Sequence, residues 1–332
     1  MKQVALLSKN DRMVLFTNTA TKRAIHPSII EKDFWVCYTL DYLFHRNKWK
    51  NAFIFKGGTS LSKAYHVIER FSEDIDLILD WRIINNLDGE PWDDRSKTQQ
   101  DKFNKRINSE TSKFLMDKFI PEMKRDLESE LDCKINVYID KEETQTVNFA
   151  YPQIYKDQYL RPEIRLEIGP LAEWLPHHGE VIKPYVAEEY EKVFKQADTN
   201  IQTVDAERTF WEKTTILHKI ANRNTKRPFP RRYSRHFYDL YCMNKSDIKE
   251  KAYHRKELLE QDIIFKKKFY YSASAGYDTA QIGTMKLIPK KEDIDLLKDD
   301  YEQMKQMIFG EIPNFEEVIY TIQKMEKEIN KL

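Results

Sequence analysis

Lys56–Leu79 reads KGGTSLSKAYHVIERFSEDIDLIL. The 332-residue chain has eight glycines, and two of them stand side by side here, Gly57 and Gly58. Just before them, NAFIF (51–55) is a short apolar run that fits a buried strand. Just after them, Leu61, Ala64, Tyr65 and Ile68 recur at helical spacing, which predicts one helix over Thr59–Arg70. EDIDLIL returns to alternation, a second strand. The order strand, glycine turn, helix, strand sets the fold class as α/β.

Residues i and i+2 of a strand point to one face, so Asp74 and Asp76 project together, ~6.6 Å apart at ~3.3 Å per residue. Two carboxylates at that separation suit a divalent cation, which prefers hard oxygen ligands. Gly57 and Gly58 allow a close backbone approach to something bulky. The helix start offers unpaired N–H groups from Thr59, Ser60 and Leu61, with the Thr59 and Ser60 hydroxyls as further donors, an anion site. Phosphate and metal together suit Mg²⁺–nucleotide chemistry. A tight turn beside two solvated aspartates is the plainer alternative. The stretch is neither a Walker A loop nor a dinucleotide-binding fingerprint.

Outward from this stretch, IIEKDFWVCYTLDYLF (29–44) reads as a helix, with Ser28 and Glu31 at capping-box spacing. Residues ~82–130 are charged and helical in pattern around a loop at LDGEPWDDRSK. Three β-like runs follow, KINVYID, TVNFAYPQIY and PEIRLEIG; after Pro184 the pattern is mostly helical. The plan is a mixed α/β first part and an α-rich second part, with the boundary near residues 185–205. Net charge is +1, so any nucleic-acid site must be local. Apolar residues are 41% and charged residues 33%, a globular composition. The three cysteines, Cys37, Cys133 and Cys242, are too scattered for a disulfide framework or a cysteine zinc site. No apolar run reaches a membrane span or a signal h-region, which gives a cytoplasmic expectation with no membrane partner.

Several segments, in order from about residue 25 to 330, resemble the AbiEii/AbiGii-type nucleotidyltransferase toxins, relatives of the polymerase-β superfamily. GGTSLSKAYHVIERFSEDIDL resembles the family's first motif and IIEKDFWVCYTLDYLF its N-terminal helix. ERTFWEKTTILH resembles the lysine motif, RYSRHFYDLY the late aspartate motif, and LKDDYEQMKQMIFGEIPNFEEVI the C-terminal helices. The connection from Gly58 to Asp74 is longer than in generic polymerase-β-like transferases, a feature this toxin family shares. The resemblance implies an α/β (α+β) fold: a polymerase-β-like core with a mixed sheet over residues 1–195, then a helical domain over 196–332 contributing Lys213 and Asp239. It implies an NTP substrate, Mg²⁺ or Mn²⁺, a transfer to an acceptor hydroxyl such as the 3′ end of a tRNA, a cognate antitoxin, and a role in phage defence or growth arrest.

The resemblance also asks for a third carboxylate on a neighbouring strand. PEIRLEIG puts Glu163, Arg165 and Glu167 on one face, and Glu167 is nearest its apolar centre. By the resemblance Lys213 reaches the triphosphate; a surface pair with Glu212 is the other reading. Asp239 is then a site residue, or the partner of a neighbour such as Arg235. Lys219–Arg235 holds seven Lys or Arg and no acid. This is either a solvated loop or a landing site for RNA phosphates through Arg227, Arg231, Arg232 and Arg235, with Phe229 and Tyr233 stacking on bases. A transferase acting on protein and a catalytically silent nucleotide- or RNA-binding regulator are the alternatives.

Overall fold

The computed structural model describes residues 1–85, 87–157, 160–171 and 176–332. The chain forms two compact units: Met1–Ala64 with Ser72–Val204, and Tyr65–Phe71 with Asp205–Leu332.

The first unit is built on one mixed seven-stranded sheet. Its strands are β1 (Phe53–Lys56), β2 (Asp74–Leu79), β3 (Asn136–Ile139), β4 (Thr146–Ala150), β5 (Ile164–Gly169), β6 (His177–Ile182) and β7 (Thr199–Val204), in the order β3-β4-β5-β2-β1-β7-β6. β2 lies antiparallel to β1 and parallel to β5. In β5, Ile164, Leu166 and Ile168 are buried while Arg165 and Glu167 are half-buried, so alternation fixes which face carries polar groups. The helices are α1 (Lys2–Ala5), α2 (Lys9–Arg23), α3 (Pro27–Asp41), α4 (Gly57–Lys63), α5 (Lys97–Phe114), α6 (Ile120–Leu131) and α7 (Tyr185–Glu189). α3 covers the apolar face: the fully buried Trp35 ring meets Phe149 edge-on at 6.0 Å and stacks on Tyr151 at 5.7 Å.

The second unit is helical: α8 (Ala206–Ala221), α9 (Ser234–Asn244), α10 (Ile248–His254), α11 (Glu257–Phe269), α12 (Lys291–Met304) and α13 (Phe315–Ile329). Within it, Glu69–Phe71 runs beside Met307–Phe309, with Phe71 N–H donating to Met307 O (2.7 Å) and Phe309 N–H to Glu69 O (2.8 Å). No helix of the described residues is long and apolar enough to cross a membrane.

Three local expectations are corrected. The helix after the glycines stops at Lys63 instead of running to Arg70, because Tyr65–Phe71 is spent on the second unit and His66 takes a left-handed φ of 52°. β7 completes the sheet, so the first unit extends beyond residue 195. Ser28 does not cap α3. The cap is His26, with Pro27 in the first turn; the Ser28 hydroxyl donates to Asp157 (2.8 Å), and Glu31 faces inward. A capping box forms instead at Ser96 and Gln99, at the start of α5.

Candidate active site

Strand pairing assembles the acidic group. Asp76 of β2 is the register partner of Glu167 on β5, and Glu167 in turn faces Thr146 on β4. On the other side Asp76 faces Lys56 of β1. One step along the strands, Asp74, Arg165 and Asn148 form a second row. Directly paired residues share a face of the sheet, so Asp74, Asp76 and Glu167 lie together on the face opposite the Trp35 core. Glu163, the other candidate, precedes β5 and accepts a hydrogen bond from the Tyr138 hydroxyl.

The glycine turn is shaped to this group. Gly57 opens α4 with a φ of 83°, in the left-handed region. A Cβ there would lie 1.9 Å from Asp76 Oδ2. Both features exclude a side chain, so the backbone turn lies directly against the carboxylate. The Thr59 and Ser60 hydroxyls are not free donors. Both residues are buried; Thr59 donates to the Asp74 carbonyl and Ser60 to the Gly57 carbonyl (2.8 Å). What the turn can present to an anion is backbone N–H.

The electrostatics are those of excess acid. Arg165 lies among four carboxylates: Glu143 (2.6 Å), Asp140 (3.2 Å), Asp74 (3.4 Å) and Glu167 (4.0 Å). Glu167 is pushed up to about 7, first by burial and then by the charges of Asp76 and Asp74. Among the described residues, no three His, Cys, Asp or Glu side chains already converge where an ion would be held. The donor chemistry nevertheless fits a hard divalent cation, being all carboxylate oxygen, and the repulsion that lifts Glu167 is what such a cation would relieve.

In the helical unit a different arrangement holds Lys213 and Asp239. Lys213 Nζ is 2.7 Å from Asp239 Oδ2, and Arg70 grips the same carboxylate through Nε (2.7 Å) and Nη2 (2.8 Å). All three are buried. Burial disfavours the Asp239 charge, but Arg70 and Lys213 outweigh it and hold the carboxyl well below the usual range. Burial, partly countered by Asp239, lowers the Lys213 pKa. The surface-pair reading of Lys213 is therefore set aside; Glu212 faces Arg208 instead (3.4 Å). Asp239 pairs with Arg70 and Lys213, not with Arg235. Arg70 had no signal of its own in the sequence, although it lies inside the quoted stretch. His236 is held neutral, by burial and then by the charges of Lys213 and Arg235.

The basic stretch is only partly available. Arg227, Arg231 and Arg232 are exposed and Arg235 is half-buried. Arg223 is buried against Asp293 and covers the Phe229 ring at 5.4 Å, which occupies one stacking face. The fold also brings an acid to this acid-free stretch: Asp300 accepts the Arg232 and Ser234 backbone N–H groups (2.5 and 2.8 Å).

A family model described as "Nucleotidyl transferase AbiEii toxin, Type IV TA system" matches residues 41–320. No curated protein matches the chain. Among solved structures, MenT4, a nucleotidyltransferase toxin from Mycobacterium tuberculosis, aligns over 98% of this chain and 97% of that one, with 12% identity and a TM-score of 0.44.

Proposed function

The chain belongs to the AbiEii family of nucleotidyltransferase toxins, and from that premise we propose that it transfers a nucleotide from an NTP to the 3′ end of an RNA, with tRNA as the acceptor. The observation that carries the choice of site is the pairing of Asp76 with Glu167 beneath a glycine turn that no side chain could occupy. The acceptor oxygen bonds the α-phosphorus as the bond to pyrophosphate breaks. Gly57 and Gly58 receive phosphate oxygens on backbone N–H groups. Asp74, Asp76 and Glu167 would hold Mg²⁺ or Mn²⁺, which when bound would supply neutralisation of phosphate charge. Lys213, oriented by Asp239, serves the triphosphate as a point charge. Arg227, Arg231, Arg232 and Arg235 serve acceptor phosphates. A cognate antitoxin is the protein partner, in growth arrest or phage defence.

The test is incubation with each α-labelled NTP, Mg²⁺ and total RNA. Label is expected at RNA 3′ ends with wild type, and at least on the order of a hundredfold less with Asp76→Ala. Label sensitive to protease instead of nuclease would replace RNA with a protein acceptor. Absence of both label and pyrophosphate would reduce the protein to a binder. Sequencing RNA 3′ ends from expressing cells names the acceptor and the added base.

A further inference from the structure

Three consecutive charged residues of α3, Glu31, Lys32 and Asp33, are buried, at 0%, 0% and 3% exposure. Neighbours on a helix point about 100° apart, so they cannot serve one partner. Glu31 accepts the backbone N–H groups of Ile154 (2.8 Å) and Tyr155 (3.0 Å). Lys32 Nζ meets Glu73 Oε2 at 2.5 Å and the Arg161 carbonyl at 3.0 Å. Asp33 Oδ1 lies 2.7 Å from Lys63 Nζ, while its Oδ2 accepts the Tyr185 N–H at 2.7 Å; the Lys63 ammonium also sits over the Tyr185 ring at 3.9 Å.

Lys63 and Glu73 have a special place in the chain. Lys63 is the last residue of α4, the helix that Gly57 opens, and Glu73 immediately precedes Asp74. Between them the chain leaves this unit after Ala64 and returns at Ser72. Both ends of that excursion are thus tied, by buried ion pairs, to adjacent residues of one helix. A buried ion pair is poor evidence of stability, because an apolar pair of similar volume is often as stable or more so. What it supplies is a fixed geometry.

We propose that Lys32 and Asp33 are positioning residues for nucleotidyl transfer: paired with Glu73 and Lys63, they clamp the exit from α4 and the entry to β2, and so hold Gly57 against Asp76. They touch neither nucleotide nor acceptor. The proposal rests on the reading of the Gly57–Asp76 region as the transfer site.

The test replaces each pair with apolar residues, Lys32→Met with Glu73→Leu and, separately, Asp33→Leu with Lys63→Met. Melting temperature reports the fold, labelled-NTP transfer to total RNA reports activity, and amide hydrogen exchange reports the local backbone. Both double variants are expected to melt within a few degrees of wild type. Their kcat should fall at least tenfold with KM for the nucleotide changed less than threefold, and exchange should speed up at least fivefold at residues 57–63 and 74–76. Wild-type kcat and wild-type exchange in a folded double variant would overturn the clamp. If a double variant does not fold, Glu73→Asp decides. It keeps the ion pair only by drawing the start of β2 toward Lys32, so lowered kcat with faster exchange supports the clamp and wild-type values overturn it. If wild type itself labels no RNA, the proposed acceptor fails, and the exchange measurement still decides the clamp.

Discussion

Glu31 in the sheet unit and Asp239 in the helical unit are both completely buried, and burial opposes the charge of each. Glu31 is pushed up to about 7, its two backbone N–H donors and the nearby Arg12 and Lys9 charges being too weak to offset desolvation. Asp239 stays well below the usual range because two cations touch it directly. The same contrast separates the two candidate sites. On the sheet, Asp74, Glu167, Asp140 and Glu143 gather around Arg165, with Asp76 the register partner of Glu167, and an added cation would relieve their mutual repulsion. In the helices, one acid is shared by two cations, which leaves one positive charge over and nothing acidic to spare. One arrangement has acid in excess and the other has a cation in excess.

The sharpest way to break that contrast is to remove an acid from each. Asp74→Ala and Asp76→Ala should each lower transfer on the order of a hundred- to a thousandfold. Their stability should stay within about 1 kcal/mol of wild type, because a repelling charge has been taken out of an acidic group. Gly57→Ala should also lower transfer while every carboxylate remains, since its Cβ would displace Asp76. Kinetics beside chemical denaturation check all three. Full activity in either aspartate variant would remove the site assignment.

In the helical unit the expected loss is of stability. Asp239→Asn leaves Arg70 and Lys213 buried without a counter-charge, which costs about 3–5 kcal/mol. Double substitution of Asp239→Asn with Arg70→Met should recover part of it. The folded pKa of Asp239 is depressed, so its contribution is present above the ordinary aspartate range and is lost as pH falls below it. A denaturation midpoint unchanged in Asp239→Asn would mean that the network contributes nothing to the fold.

Glu31 gives the opposite pH signature. Its folded pKa is raised from 4.5 to about 7, so between those values the folded state keeps a proton that the unfolded state has lost. Stability from this residue therefore falls as pH rises, by up to about 3 kcal/mol at ~1.4 kcal/mol per pH unit. Glu31→Gln cannot titrate. The difference in unfolding free energy between variant and wild type should move in the variant's favour from pH 4.5 to 7 and level off above. A difference that is flat with pH would mean that Glu31 is ionised and satisfied by Arg12, Lys9 and its backbone donors.

These contrasts also mark what could be read from the chain. Alternation in EDIDLIL and PEIRLEIG placed Asp74, Asp76 and Glu167 on polar strand faces, because side-chain direction is a local property. That β5 lies parallel to β2, putting Glu167 beside Asp76, depends on sheet order and is not local. The helix predicted through Arg70 failed for the same reason: apolar spacing in Tyr65–Ile68 serves a second unit whose other residues begin at Asp205. Arg70 and Asp239 lie 169 positions apart, and no spacing rule links them. Glu31 reads as the far end of a capping box, and nothing in the sequence marks Lys32 or Asp33 as buried, since charge in a sequence signals exposure unless its partners are known.

The smallest expected effect concerns the exposed cations of the helical unit, which differ from Arg70 and Lys213 in having water around them. Arg227→Gln, Arg231→Gln and Arg232→Gln together should leave the fold intact. The Arg232 backbone N–H still reaches Asp300 in the variant, and its φ of 62° is as uncomfortable for Gln as for Arg. If these side chains contact phosphates, each contact releases counterions, and log affinity falls against log salt by about 0.9 per contact on duplex and about 0.7 on single strands. The triple variant should then bind RNA more weakly at low salt, with a slope shallower by roughly two to three. Nucleotide affinity should hold, because no residue of the acidic group or of the Lys213 network has changed. The measurement is RNA binding across a salt series beside nucleotide binding, for wild type and the triple variant. An unchanged slope would make the stretch a solvated loop, and lost nucleotide affinity with intact RNA binding would move these arginines to the triphosphate.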